Sequence, residues 1–337
     1  MKIRLLAAFL STSFISSALT QPLVIAHRGA SGYLPEHTLE AATLAYAQGA
    51  DFIEQDLVLS KDLVPVVLHD IHLDTVTDVA QKYPTRHRDD GRFYAFDFTL
   101  AELKTLVVHE RQELDGKQVF VNRYQGKAAF QIATFAEELE LIAQLNRQLK
   151  RNVGYYPEIK SPQWHQQQGA DISLIVLNML REYGLDDAKK AIYVQCFDFA
   201  EIKRLRIELG AKVKLIQLIG DNSWGEADTD YTALQTPQQL ADVAKYAQGI
   251  GPWLPQVFDL QAGKITDLVN NAHQAGLQVH PYTFRQDVLP SDISAEQVLT
   301  VLFNQVKIDG LFTDFTDTVV SYLKSTNLNQ PNAKSPN

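Results

Sequence analysis

Cysteine is almost absent: Cys196 stands alone in 337 residues, which excludes an intramolecular disulfide. Stability must then come from a buried core, alone or with a bound metal. No basic neighbour in Val194-Gln195-Cys196-Phe197 is placed to activate the thiol, so Cys196 reads as buried filler. Positive charge is also in deficit, with 31 lysines and arginines against 40 acidic residues and a net charge of −9. That balance repels a nucleic-acid backbone and an anionic membrane surface, so diffuse binding to either is excluded. A small anionic substrate meets the same repulsion. Its site therefore needs concentrated positive charge, from basic side chains or from a bound cation.

A membrane-spanning run is lacking at the N-terminus. The apolar stretch Leu5 to Ile15 is broken by Ser11, Thr12 and Ser13 and falls short of the ~20 residues that cross a bilayer. Preceded by Lys2 and Arg4 and followed by Ser16-Ser17-Ala18, it has the pattern of a cleaved secretory leader over residues 1–18. A lipid anchor would need a cysteine just after the leader, so no stable membrane anchor is expected. Internal repeats and low-complexity tracts are missing too. The tail over 326–337, rich in Asn, Pro and Ser, is expected to be flexible.

What is present is the profile of a folded globular protein, 45% hydrophobic and 21% charged. Short β-rich runs are read at Leu23–Ala26, Phe52–Leu59, Val64–Leu68, Gly154–Ile159, Ile192–Phe197, Val213–Ile219, Ile250–Trp253, Leu277–Phe284 and Gly310–Thr313. Helix-period segments lie between most of them, including Leu39–Ala47, Phe135–Leu149, Ile172–Tyr183 and Phe199–Leu209. This alternation predicts a mostly parallel α/β fold, close to an eight-stranded (β/α)8 TIM barrel spanning 22–325. Gly49, Gly210, Gly249 and Gly276 stand where left-handed helix caps are expected. Ser60 to Leu63 is too short for a parallel crossover and predicts a hairpin pairing Leu59 with Val64. From Ile71 to Phe130 the alternation fails, so 71–130 reads as a small insertion in the barrel, and its run Arg86 to Arg92 as a solvated face.

Chemistry-bearing residues fall at the carboxyl ends of these strands, where barrel enzymes keep their reactive groups. The first strand runs into His27-Arg28-Gly29, a histidine that can exchange a proton near neutral pH beside a guanidinium fork suited to phosphate. Taken alone, the same three residues would also suit a hydrogen-bonded strand end and a turn. In the second strand, Glu54 and Asp56 share one face by the period of two. Two inward carboxylates must be paired, protonated or metal-bound, and Ca²⁺ or Mg²⁺ is the natural oxygen-seeking partner. The predicted hairpin register sets Glu54 opposite His69, bringing a second histidine to the metal. Glu158 and Lys160 repeat the pattern in the next strand, as a third carboxylate and an ammonium.

The ordered set His27-Arg28-Gly29, Pro35-Glu36-His37-Thr38, Glu54-Gln55-Asp56, Val64-Pro65-Val66-Val67-Leu68-His69-Asp70 and Pro157-Glu158-Ile159-Lys160 resembles the glycerophosphodiester phosphodiesterase family, and the long segment after His69-Asp70 resembles its periplasmic bacterial type. The likeness runs to Asp317 and takes in Asp198, His280 to Arg285 and Asp309 to Asp314. It implies a barrel of the phospholipase C-like kind with an insertion, and a periplasmic enzyme hydrolysing glycerophosphodiesters such as glycerophosphocholine and glycerophosphoethanolamine to sn-glycerol 3-phosphate and an alcohol. It also implies that His27 and His69 are the acid-base pair and that Arg28 and Lys160 bind the phosphate. Glu54, Asp56 and Glu158 would hold a divalent cation, Ca²⁺ ahead of Mg²⁺. The implied partners are small diesters, not nucleic acid, and the oligomeric state is left open, a dimer included. Cys196, where many relatives have serine, and Tyr282, where many have tryptophan, depart from the pattern on the alcohol side. Two rival readings remain at this point, a phospholipase acting on intact lipid and an exported binding protein that has lost catalysis.

Overall fold

A computed structural model describes residues 21–328, with side chains through 326, so the leader at 1–18 and most of the 326–337 tail lie outside the described residues. Among the described residues there are eleven strands: β1 Leu23–Ala26, β2 Phe52–Leu59, β3 Pro65–Val67, β4 Gly154–Ile159, β5 Tyr193–Cys196, β6 Lys214–Ile219, β7 Gly249–Pro252, β8 Phe258–Asp259, β9 Lys264–Ile265, β10 Gln278–Val279 and β11 Gly310–Thr313. Eight of them form a parallel sheet in the order β10-β7-β6-β5-β4-β2-β1-β11. The chain beyond β10 brings the two ends together. Phe312 N donates to Pro281 O at 3.0 Å and Phe284 N to Phe312 O at 2.8 Å, which nearly closes a TIM barrel. Pro281 has no N–H to donate, so the Leu277–Phe284 run stays extended but is regular only at Gln278–Val279.

Eight helices follow the eight barrel strands: α1 Leu39–Gln48, α2 Phe135–Leu149, α3 Ile172–Glu182, α4 Phe199–Ile207, α5 Pro237–Val243, α6 Leu268–Gln274, α7 Ala295–Thr300, extended by a π-helical segment Val301–Val306, and α8 Thr316–Leu328. Their starts are set by polar caps: Thr38, Thr134, Asp171, Asp198, Thr236 and Ser294 each accept a backbone N–H of the first turn. Gly49, Gly210 and Gly276 do adopt the left-handed conformation expected at helix ends. Gly249 does not. It belongs to β7, where an added Cβ would lie 2.6 Å from Gln278 O, so its role is close strand approach rather than capping. The helix α8 also continues past residue 325, where the sequence places the end of the barrel.

The main apolar core lies between the strands and their helices, as fully buried Ile53, Leu57, Phe135, Leu139, Ile202 and Leu215 illustrate. Inside the barrel, Ile25, Phe52, Tyr156, Tyr193, Ile216 and Phe312 form a separate plug. Tyr156 and Tyr193 stack at 5.0 Å, and the Tyr156 hydroxyl meets His280 Nδ1 at 2.8 Å. This plug floors the cavity described below and keeps it at the carboxyl end. Among the described residues no helix is long and apolar enough to cross a membrane.

The hairpin exists, but its register is one residue from the expected one: β2 and β3 pair Leu59 with Pro65, Val58 with Val66 and Leu57 with Val67. Leu63 takes φ 61° and Ser60 N donates to Val64 O, which adds a bulge residue to the loop. Glu54 is therefore not opposite His69. The ladder ends where Leu68 N donates to Asp56 O at 2.9 Å, and His69 lies one residue beyond it.

The 71–130 segment packs Leu73, Val76, Val79, Phe93, Phe98, Leu103, Leu106, Val108 and Phe130 into a core of its own, together with Val58, Val66 and Leu68 of the hairpin. In the charged run His87, Asp89 and Asp90 are exposed, as expected of a solvated face. Arg86 and Arg88 instead turn inward, Arg86 onto Glu102 at 2.6 Å and Arg88 onto Asp97 at 2.7 Å. Arg88 also reaches Gln168 at 3.1 Å, fastening the insertion to the barrel.

Candidate active site

A cavity of about 310 Å³ opens at the carboxyl end of the barrel and is lined by His27, Arg28, Glu54, Asp56, His69 and Glu158, six of the seven residues singled out from the sequence. The seventh, Lys160, is buried beside it with Nζ 2.9 Å from Glu158 Oε1. These residues arrive from β1, β2, the β3 end and β4. The parallel register that sets Asp56 beside Glu158 brings the carboxylates of neighbouring strands together. The other wall is Gln195, Phe197, Leu218, Trp224, Trp253, Tyr282 and Phe312, with Glu226 and Arg285 at the charged margin.

Each histidine is held by an aspartate. His27 Nδ1 lies 2.7 Å from Asp314 Oδ1, and His69 Nδ1 lies 2.7 Å from Asp70 Oδ1. Burial would raise Asp314, but Arg285 and His27 hold it well below the usual carboxylate range. Asp70 is held low in the same way by His69 and Arg111. Both carboxylates are thus acceptors, each Nδ1 donates, and the remaining nitrogen, Nε2, belongs to a ring that lines the cavity. Burial and the Arg28 charge push His27 down to about 3, and burial with Arg28 and Lys160 also lowers His69. Neutral rings of this kind can accept a proton.

Arg28 adopts a left-handed φ of 59° that a non-glycine residue takes only when its surroundings hold it there. Glu54 Oε2 supplies the hold, accepting the Arg28 backbone N–H at 2.7 Å. Gly29, also left-handed, has no room for a side chain, because a Cβ would stand 2.7 Å from the Ala41 carbonyl carbon. The Arg28 guanidinium donates Nη1 to both oxygens of Glu36 at 3.1 Å. Its Nε lies 3.6 Å from Asp56 Oδ2 and has no hydrogen-bond partner.

Four carboxyl groups, two guanidiniums and two histidines line the cavity, so acidic groups outnumber the fixed positive charges on its wall. Burial and the neighbouring Asp56 charge push Glu54 well above the usual carboxylate range, and burial lifts Glu158 as well. Asp56, which burial alone would raise, is held low by His69, His37 and Lys160, yet its Oδ1 is buried without a partner. Burial would lower Lys160, but Glu158 and Glu226 keep its ammonium charged. Surplus buried carboxylate with an orphaned oxygen fits a hard divalent cation. Ligand atoms of His37, Glu54 and Asp56 lie within 4.8 Å of one another, close enough to share one. His37, not singled out from the sequence, enters through its 2.8 Å contact from Nε2 to Asp56 Oδ2.

Several other functional neighbours have partners that no local signal in the sequence reveals. Asp314 is 287 positions from His27, and Arg111 and Arg123 come from the insertion. Glu36, His37 and Asp314 all fall inside motifs that are visible in the sequence, but no spacing rule gives them partners. Cys196 is buried, its Sγ faces Ile159 O at 3.4 Å, and burial pushes its thiol well up, so it is the inert filler expected.

A parallel barrel with two aspartate-held histidines, a buried carboxylate cluster and basic side chains at its carboxyl end has the makings of a hydrolytic barrel enzyme. The sequence matches the glycerophosphoryl diester phosphodiesterase family over residues 27–318, and this chain belongs to that family. It is 44% identical over 326 residues to a glycerophosphodiester phosphodiesterase of Haemophilus influenzae, covering 90% of each chain. To the protein of the same name in Treponema pallidum it is 35% identical, covering 92% of this chain and 94% of the relative. Its fold is similar to that of an Oleispira antarctica phosphodiesterase solved with the product sn-glycerol-3-phosphate, with a TM-score of 0.61, 21% identity and coverage of 90% and 97%.

Proposed function

We propose that this protein hydrolyses glycerophosphodiesters to sn-glycerol 3-phosphate and a free alcohol, with His27 and His69 as the acid-base pair. The observation that carries this reading is that both histidines and Glu54, Asp56 and Glu158 line one cavity at the barrel mouth. The relatives named for this activity and the family membership support the same substrate class.

The diester carries one negative charge, and Arg28 and Lys160 offset it as further charge develops on the phosphoryl oxygens. One histidine takes a proton from the attacking hydroxyl at Nε2; the other, which first takes up a proton from solvent at its own Nε2, gives it to the alcohol oxygen as its bond to phosphorus breaks. The attacker is either water or the neighbouring glycerol hydroxyl. In the second case a cyclic phosphate forms first and water then opens it. Glu54 and Asp56, with Glu158 or His37, would hold a divalent cation, Ca²⁺ by preference, which when bound polarises a phosphoryl oxygen. Phe197, Leu218, Trp224, Trp253 and Tyr282 give the cavity an apolar wall for the carbon skeleton of the substrate. The leader pattern at residues 1–18 supports export, and hence a periplasmic location.

The test is release of glycerol 3-phosphate from glycerophosphocholine, with Ca²⁺, with Mg²⁺, with chelator, and by His27→Ala and His69→Ala. Metal-dependent turnover that drops by about 10²–10⁴ in each variant is expected. A folded, metal-loaded wild type with no turnover of any glycerophosphodiester would overturn the reading.

A further inference from the structure

The chemistry just described leaves the 71–130 insertion idle, yet two of its arginines are sunk into the mouth of the barrel. Arg123 donates Nη2 to Asp314 Oδ2 at 2.7 Å, and the other oxygen of that carboxylate takes His27 Nδ1 at 2.7 Å. Arg111 donates Nη1 to Asp70 Oδ2 at 2.7 Å, and the other oxygen of Asp70 takes His69 Nδ1 at 2.7 Å. The two relays have the same form although they share no sequence pattern: arginine of the insertion, aspartate of the barrel, Nδ1 of a cavity histidine.

We propose that Arg111 and Arg123 are positioning residues, through which the insertion fixes the orientation and tautomer of both catalytic histidines. The inference rests on the acid-base reading of His27 and His69. A carboxylate that accepts only from an imidazole can rotate about its own axis and carry the ring with it. A guanidinium bound to its second oxygen sets the carboxylate plane, and so the direction of the Nδ1–H bond. With Nδ1 committed, Nε2 is the nitrogen left for substrate.

The surroundings make the two relays unequal. Asp314 Oδ2 also accepts Arg285 Nε at 2.8 Å, so Asp314 keeps one guanidinium when Arg123 is lost. Among the described residues, Asp70 Oδ2 has only Thr75 Oγ1 at 3.5 Å besides Arg111. Arg111 further grips Glu36 through Nε at 2.9 Å and Nη2 at 2.6 Å, and Glu36 in turn holds Arg28. Losing Arg111 therefore disturbs the phosphate-binding side as well. Arg123 has other anchors, Asp287 Oδ2 at 2.8 Å and Ser31 O at 3.3 Å, neither of which leads to Arg28.

The experiment uses the full chain with Ca²⁺ and glycerophosphocholine, comparing Arg111→Ala, Arg123→Ala and the corresponding lysine variants with wild type. Misplacing a catalytic group by an ångström costs about 10²-fold in rate. Arg111→Ala should lose about that factor in kcat with KM raised, and Arg123→Ala should lose less, in kcat alone. The lysine variants, which keep the charge but lose the fork, should fall between, and added methylguanidinium should restore part of the rate in the alanine variants. Imidazole ¹⁵N spectra should show the Nδ1–H form of His69 weakened in Arg111→Ala, and that of His27 in Arg123→Ala. If an alanine variant fails to fold, its lysine counterpart carries the same comparison. Folded variants with kcat within about threefold of wild type would overturn the proposal, as would a lost rate with unchanged Nδ1–H signals. An inactive wild type would instead sink the hydrolase reading, and the spectra would still decide whether the arginines set the tautomers.

Discussion

Glu138 predicts a pH dependence of stability that can be isolated with one substitution. It sits on the inner face of α2, fully buried, and accepts Gln55 Nε2 at 2.8 Å. Gln55 lies between Glu54 and Asp56 on β2 and points the opposite way, with its Oε1 accepting the Tyr156 N–H at 3.2 Å. The Gln55–Glu138 pair thus ties the strand that carries both carboxylates to the helix behind it. Burial pushes Glu138 up to about 8 from 4.5, so between those values the folded chain holds a proton that the unfolded chain releases. Stability from this group is full below about pH 4.5 and is lost as pH rises through about 8. The gap corresponds to about 5 kcal/mol, a large part of a domain's net stability. Glu138→Gln keeps the acceptor for Gln55 and cannot ionise. Urea unfolding of both proteins from about pH 5 to 8.5 should show the variant gaining on wild type by several kcal/mol as pH rises, then levelling off. A difference that does not change with pH, or that moves the other way, would refute the argument that burial governs this carboxyl.

Two further outcomes follow from the cavity itself. Chelation should lower the melting temperature and added Ca²⁺ should restore it, by about 3 kcal/mol at a hundredfold excess over Kd, and Asp56→Asn should abolish that increment in the same thermal scan. Gly29→Ala forces a Cβ to within 2.7 Å of the α1 backbone at a left-handed φ of 79°. It should cost about 1–3 kcal/mol in unfolding free energy and reduce kcat by displacing its neighbours His27 and Arg28, and unchanged values of both would show that the turn relaxes.

The residues legible in the sequence are those that a strand end announces. The runs chosen for β1, β2, β4 and β11 match the strands residue for residue, because apolar runs flanked by glycine or a polar cap leave little freedom in where a strand stops. His27, Glu54, Asp56 and Glu158 follow from those ends and the period of two; His69 was set beside them by a hairpin register that is off by one residue, yet it lines the same cavity. The hairpin register was not legible, because it turns on the left-handed conformation of Leu63, a residue type that gives no sign of it. Gly249 misleads for the opposite reason: a glycine after a helix suits a cap and a crowded strand equally well.

The groups that orient the chemistry were hidden for a different physical reason. A proton-transfer residue must stand on the strand that delivers it, but the aspartate or arginine that steadies it needs only to be near in space. Asp314 comes from the far end of the chain and Arg123 from an insertion that no barrel requires. Asp314 is set in place by barrel closure, which puts β11 beside β1 and sets Thr313 against Ala26. Closure therefore does more than build a floor for the cavity: it is the step that places Asp314 behind His27. A mutation that loosens the β1–β11 seam should then impair the histidine before it unfolds the barrel.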